Sequence, residues 1–165
     1  MRRLGLLLGV FATLVVLGAS RPAQVAAQVP APVAKPSAPL QVQETNEAGV
    51  IAEFVECKRK EGVLTVRIRL RNTGNAGADF YLISSRNYDS FYVTAEDKKY
   101  LVLRDEEKTP LAPAANAGGD VGVSIAKGGS WLWWAKYPAP PAGVKKINYV
   151  WPLGAPFEDI PIADQ

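Results

Sequence analysis

The chain of 165 residues contains no histidine and only one cysteine, Cys57. Histidine is the usual general base near neutral pH and a common ligand of zinc and copper. Its absence excludes a Ser-His-Asp or Cys-His catalytic site and argues against a zinc or copper site. A single cysteine excludes an internal disulfide, so the fold must depend on its hydrophobic core alone.

Motifs for phosphate and calcium binding are also absent. The glycine pairs at 118–119 and 128–129 lack the lysine and the helix context of a phosphate-binding loop. No acidic segment has the D-x-D-x-D-G spacing that wraps a calcium ion. We therefore predict neither a metal nor a cofactor.

Residues 1–27 have the composition of a secretory signal peptide. Arg2 and Arg3 precede an apolar run at 4–17, and small residues follow, with candidate cleavage points after Ser20 and Ala27. The run is shorter than the roughly 20 residues that a spanning helix needs, which favours a removed signal over an uncleaved membrane anchor. We predict an exported protein, periplasmic or extracellular, that touches the membrane only through this segment if it stays uncleaved.

Removal of the signal changes the charge of the chain. The full sequence has 19 basic and 16 acidic residues, but Arg2, Arg3 and Arg21 all lie in the signal, so residues 28–165 carry equal numbers of each. Nucleic-acid binding generally requires an excess of positive charge. We therefore predict no nucleic-acid partner.

Residues 28–48 are rich in proline, alanine, glutamine and valine. Such a segment cannot bury a core, and its prolines remove backbone donors, so we predict a disordered Pro/Ala-rich linker. It is either an extended spacer or a loose tail left by processing. The folded domain is predicted to occupy residues 49–165.

The polarity of residues 64–71 alternates without exception. A period of two predicts a β-strand with one buried and one wet face. Residues 49–58 are predicted to form the preceding strand, joined by a tight turn at Glu61-Gly62. That turn would place Cys57 opposite Val66, Val55 opposite Ile68 and Glu56 opposite Arg67. The same register predicts that Cys57 is a buried, unreactive thiol.

Short segments rich in aromatic and β-branched residues follow at spacings of about ten residues, with no helical period. This pattern predicts an all-β fold, and we favour an immunoglobulin-like antiparallel β-sandwich of about 8 strands. The predicted later strands are 79–83, 88–94, 100–104, 121–125, 130–137, 144–151 and 157–162.

Several of these segments together resemble a family of exported bacterial immunoglobulin-like β-sandwich domains of unknown function, some of which lie beside OmpA-like domains. The resemblance covers about residues 50–162 and its motifs are structural. It implies the sandwich fold and the cell envelope, and it transfers no functional residues. The matching segments are VLTV at 63–66 with RNTG at 71–74, YLVLRD at 100–105, WAKYPAPP at 134–141 and PFEDIPI at 156–162.

Charged clusters offer two candidate sites. Acidic residues at 105–107 and 158–159 could serve a hydrolase that uses two facing carboxylates, but both clusters fall in predicted turns, where acids are usually solvated. The arginines Arg67, Arg69 and Arg71 could attract an acidic polymer. Alternatively, they pair with Glu53 and Glu56 on the neighbouring strand, and the zero net charge of residues 28–165 favours this second interpretation.

The aromatic strand at 130–137 is the strongest candidate for a binding site. Alternation places Trp131, Trp133, Ala135 and Tyr137 on one face, and Leu132, Trp134 and Lys136 on the other. The first set is predicted to face the core. Exposed indole beside a cation suits sugar stacking or protein docking, unless the proline-rich segments at 138–141 or 152–156 cover Trp134.

These observations predict a non-enzymatic binding or structural accessory module of the bacterial cell envelope. Its binding residues would be Trp134, Leu132 and Lys136, and its partner an envelope protein or glycan. No catalytic residue is predicted. The alternative is a carboxylate-dependent cell-wall polysaccharide hydrolase, which would need a cleft joining two carboxylates from different loops.

Overall fold

The computed structural model describes residues 38–165. The predicted signal peptide and residues 28–37 of the predicted linker lie outside the described residues. Within the described part the chain forms strands and one 3₁₀ turn, with no α-helix, which confirms the all-β prediction. The strands are β1 Gln41–Glu44, β2 Val50–Lys60, β3 Val63–Asn72, β4 Ala78–Ile83, β5 Tyr92–Ala95, β6 Lys98–Leu101, β7 Val121–Ile125, β8 Ser130–Pro138, β9 Lys146–Val150, β10 Phe157–Pro161 and β11 Ala163–Asp164.

Two larger sheets face each other across one hydrophobic core. The first has the order β1-β2-β3-β8, with the short β11 parallel to β2, and the second has the order β10-β9-β5-β6. Phe54 of the first sheet packs edge-on against Tyr149 and Phe157 of the second, with ring centroids 5.7 and 5.2 Å apart. Such interdigitating inner faces are typical of a β-sandwich.

A smaller ladder continues the first sheet at one end. The β4-β7 pair follows on from the β3-β8 pair, because Asn72 at the end of β3 bonds Gly129 just before β8. The buried Asn72 amide also donates to the backbone oxygens of Ala76 and Ile125, at 2.7 and 3.0 Å. This side chain therefore links the end of β3 to the end of β7.

The β2-β3 hairpin turns at Glu61 and Gly62 as predicted. Both residues have positive φ, 49° and 78°, as the favoured two-residue hairpin turn requires. Cys57 lies opposite Val66 and Glu56 opposite Arg67, so that part of the predicted register is confirmed.

The predicted pairing of Val55 with Ile68 is wrong. Ile68 pairs with Phe54, and Val55 is an extra residue between Phe54 and Glu56, a β-bulge. Without the bulge, a period of two would put Phe54 and Cys57 on opposite faces. With it, both point into the core.

The start of the domain also differs from the prediction. The strand β1, Gln41–Glu44, lies inside the segment predicted to be a disordered linker, and it pairs antiparallel with β2. Its sequence QVQE has little β signal of its own, so pairing with the edge of β2 determines its conformation. The domain therefore begins before the predicted boundary at residue 49.

Two observed strand boundaries differ from the predicted ones, each for an identifiable reason. The segment predicted as a strand at 88–94 begins with the 3₁₀ turn Tyr88–Ser90, and β5 follows it. The next strand begins at Lys98, earlier than predicted, because β5 and β6 are joined by a tight turn in which Glu96 has φ 50°.

Arg59 ties the C-terminal end of the domain to β2. Its buried guanidinium donates to Asp164 at 2.6 Å and to the backbone oxygens of Pro141 and Val144, at 2.7 and 3.2 Å. The Arg59 hydrogen bond lowers the pKa of the Asp164 carboxyl. A cation at this inward position is tolerated because each of its three guanidinium nitrogens donates to an acceptor.

Cys57 is buried and has no disulfide partner, as the sequence predicts. Burial raises the pKa of its thiol to about 12. Because the thiolate is the reactive form, the native thiol is inert near neutral pH. No helix among residues 38–165 is long and apolar enough to cross a membrane.

Candidate functional site

The inner face of β8 is part of the core, as its alternation predicts. Trp133, Ala135 and Tyr137 are fully buried. The Trp133 indole N–H donates to the Tyr149 hydroxyl at 2.7 Å, and the Tyr137 and Tyr149 hydroxyls lie 3.0 Å apart. Desolvation raises the pKa of both tyrosines, which keeps them neutral. This network satisfies the polar atoms of buried aromatic residues and is structural.

The outer face of β8 carries the three predicted binding residues together. Leu132 is 43% exposed, Lys136 is exposed and Trp134 lies partly exposed between them. The proline-rich segments therefore do not cover Trp134 completely. The placement of these side chains on one solvent-facing surface agrees with the prediction, and their role in binding remains a proposal.

β8 is also the edge strand of its sheet, which the sequence did not reveal. Lys136 directs its backbone away from β3: its N–H donates to Leu111 at 3.0 Å and its carbonyl accepts from Leu103 at 2.8 Å. In an antiparallel strand every second residue points its backbone groups the same way. The N–H and C=O groups of Trp134 and Leu132 therefore point off the same edge.

These edge groups have no partner in the described part of the chain. No residue between 38 and 165 forms a backbone or side-chain hydrogen bond to the off-edge groups of Leu132 or Trp134. The 103–111 segment forms hydrogen bonds with this edge only at Lys136. A short unpaired stretch, called the open edge below, thus lies directly beside the exposed Leu132 and the partly exposed Trp134 side chains.

The neighbouring strand β3 supplies arginines to this surface. Arg67 lies opposite Trp134, and Arg69 lies opposite Leu132. Arg67 is held loosely, 3.6 Å from a Glu56 carboxylate that is closer to Lys58, and its side chain is 50% exposed. The cation nearest Trp134 therefore remains accessible to a partner.

Further along the same face two arginines share one carboxylate. The Glu53 carboxylate accepts hydrogen bonds from Arg69 and Arg71, at 2.5 and 3.0 Å, and its side chain is only 7% exposed. Burial on its own would raise the pKa of Glu53, but the two arginines outweigh it and lower the pKa. Pairing of the arginine stripe with Glu53 and Glu56, the second interpretation of the sequence, is confirmed.

Of the acidic residues considered for a hydrolase, those at 105–107 lie in an exposed turn, and those at 158–159 are exposed on β10, at an irregularity of its pairing with β9. Asp105 accepts the Thr109 N–H within its own turn, and Asp159 lies 3.5 Å from Lys146. Among the described residues, no three cysteine or carboxylate side chains form a group that could hold a metal ion. Comparison of the chain with protein-family models, with curated proteins and with solved structures gives no match.

Proposed function

We propose that this protein is an exported, non-enzymatic module of the bacterial cell envelope that binds an extended segment of a partner protein along β8. The domain is proposed to be an immunoglobulin-like variant of the sandwich. Binding would occur by strand addition, in which the partner pairs with the free edge and its side chains pack on Trp134 and Leu132.

The open edge of β8 is the observation that carries the proposal. Unpaired backbone groups in register with exposed apolar side chains are a liability for a secreted protein unless they have a use. Lys136, beside them, already bonds the 103–111 segment in the way that an added strand would bond. The edge is therefore geometrically competent for pairing at Leu132 and Trp134.

The charge of the surface indicates the kind of partner. Arg67 and Lys136 flank Trp134, and the two buried or half-buried acids of this face, Glu53 and Glu56, are already occupied by other cations. A segment that alternates acidic and apolar residues would complement both the cations and the exposed indole. The envelope location rests on the signal-like residues 1–27 and on the family resemblance.

The proposal is tested by retention of an envelope fraction on the tagged full chain. In Leu132→Pro the edge N–H is lost, although proline is tolerated on the open side of an edge strand. The variant Leu132→Ala keeps that N–H and loses only the side chain. We expect Leu132→Pro and Trp134→Ala to abolish retention, and Leu132→Ala to weaken it.

A matched control removes another exposed aromatic residue. Tyr81 on β4 is 65% exposed, and Tyr81→Ala should retain the partner as the wild type does. Thermal midpoints of all variants establish that they fold. A glycan would be identified instead if protease treatment of the envelope fraction and Leu132→Pro both left retention intact, while Trp134→Ala abolished it. The proposal would be refuted if the wild type retained no envelope material. It would also be refuted if every variant retained as much material as the wild type.

A further inference from the structure

A separate pocket of about 320 Å³ lies between the loop that follows β4 and the long connection between β6 and β7. Three cationic side chains line it, and its remaining wall is formed by Tyr88, Thr109 and small apolar residues. No carboxylate lines the pocket. The cations are Arg86, Arg104 and Lys108, which come from two loops far apart from β8 in sequence.

The backbone holds these cations in unusual conformations. Arg86 and Lys108 both have positive φ, 56° and 63°, which is uncommon for residues with long side chains. The Arg86 N–H donates to the Gly119 carbonyl at 2.7 Å, and the Lys108 N–H donates to the Asp105 carbonyl at 3.0 Å. Backbone hydrogen bonds thus hold both loops at residues that line the pocket.

Few direct ion pairs hold these cations, although acidic residues at 89, 105–107 and 120 lie in the same loops. Within the described residues only Asp89 forms an ion pair here, 3.5 Å from Arg104, and it is itself exposed. Asp105 and Asp120 instead accept backbone N–H groups, from Thr109 and Ser85. Arg86 and Lys108 have no ion-pair partner in the part of the chain that the structure describes.

Tyr88 forms the rigid base of the pocket. Its ring is buried and its hydroxyl donates to the Pro113 carbonyl at 2.7 Å. Burial raises the pKa of Tyr88, while Arg86 and Arg104, which line the same pocket, act in the opposite direction. A fixed aromatic base with cations around it is preorganised and loses little freedom on binding.

We propose that this pocket binds the phosphate group of a small phosphorylated compound or of a lipid headgroup. Two guanidinium groups, one of which also donates to the Lys108 carbonyl, and an ammonium group line the same pocket. Such a set suits a tetrahedral dianion better than a planar carboxylate, which one guanidinium group can satisfy. The volume is at the lower end for ligand pockets, so it admits a headgroup and excludes a large ligand.

The test titrates the full chain with inorganic phosphate and with a sugar phosphate, and follows backbone amide NMR shifts. We expect saturable shifts at Tyr88 and Thr109 in the millimolar range or below. Cosedimentation with phosphatidylglycerol vesicles, compared with phosphatidylcholine vesicles, distinguishes a lipid headgroup from a free phosphorylated compound.

Two variants remove the charge without disturbing the backbone. Asparagine tolerates positive φ, so Arg86→Asn and Lys108→Asn should fold normally. Each should weaken binding roughly tenfold, the expected loss of one charge-assisted hydrogen bond. Lys127→Asn, an exposed turn cation elsewhere, is the matched control and should bind as the wild type does.

The site is supported if any of these probes binds the wild type and the control variant, and binds both pocket variants more weakly. The proposal is overturned if no probe gives a saturable response, or if Arg86→Asn and Lys108→Asn bind as tightly as Lys127→Asn. These outcomes are independent of partner binding at the β8 edge, because no residue of that edge lines this pocket.

Discussion

The two faces of β8 use the same kind of residue for different purposes. Trp133 points inward, is fully buried and has its indole N–H bonded to Tyr149. Trp134, its neighbour in the chain, points outward, is partly exposed and has an indole N–H with no partner among the described residues. The Trp133 indole therefore stabilises the fold, and the Trp134 indole is accessible for contact with a partner.

The same contrast extends across β2 and β3. Their inward side chains form the core, whereas each of the outward arginines of β3 pairs with Glu53 or Glu56. Only over β8 does the outer face lack such matching. Experiments that separate the two faces should therefore separate loss of stability from loss of binding.

The largest effect is expected from Trp133→Ala. The substitution leaves a large cavity in a region where Phe91 packs on the indole at 4.4 Å, and it removes the hydrogen bond to Tyr149. Such changes cost about 4 kcal/mol. Urea unfolding followed by circular dichroism measures the loss, and a loss below about 1 kcal/mol would contradict the assignment of Trp133 to the core.

Glu53→Gln should have an intermediate effect. The amide cannot balance Arg69 and Arg71, which then lie together without a counter-charge, and we expect a loss of about 2 kcal/mol. Glu44→Gln, which removes an exposed carboxylate on β1, is the control. If both variants unfold at the same urea concentration, the outer charges of β2 and β3 are not structural.

The pH dependence of this difference is a finer test. The pKa of Glu53 is lower in the folded state than its ordinary value of 4.5, so the ionised carboxylate stabilises the fold at neutral pH. This contribution is complete above the ordinary pKa and is lost as the pH falls through the lowered folded value. The difference in unfolding free energy between wild type and Glu53→Gln should therefore be constant from pH 7 to about 5 and shrink in stronger acid. A difference that grows on acidification would reverse the assigned sign.

The sequence predicted those features that depend on local alternation. The buried and wet faces of β3 and β8, the turn at Glu61-Gly62 and the burial of Cys57 all follow from a period of two and from turn chemistry. Sequence alone did not show which strands are neighbours, so it missed the open edge at Leu132 and the pairing that recruits Gln41–Glu44 as a strand.

Two other features depend on contacts between distant segments. The bulge at Val55 arises because the core selects both Phe54 and Cys57, and a repeating pattern contains no sign of the extra residue. The basic pocket joins Arg86 to Lys108, which are separated by two strands in the chain. In the sequence, each of these cations lies in a loop, and no local pattern indicates that they line one pocket.

Trp134→Ala should have the smallest effect on stability, about 0.5 kcal/mol, because the indole is partly exposed and donates no hydrogen bond within the described residues. Measured beside Trp133→Ala under the same conditions, it compares two tryptophans that differ only in the face they occupy. Truncation leaves the backbone of β8 and its pairing with β3 unchanged. A loss of several kcal/mol would mean that the outer indole is packed as part of the fold, and the binding surface would then have to be sought away from β8.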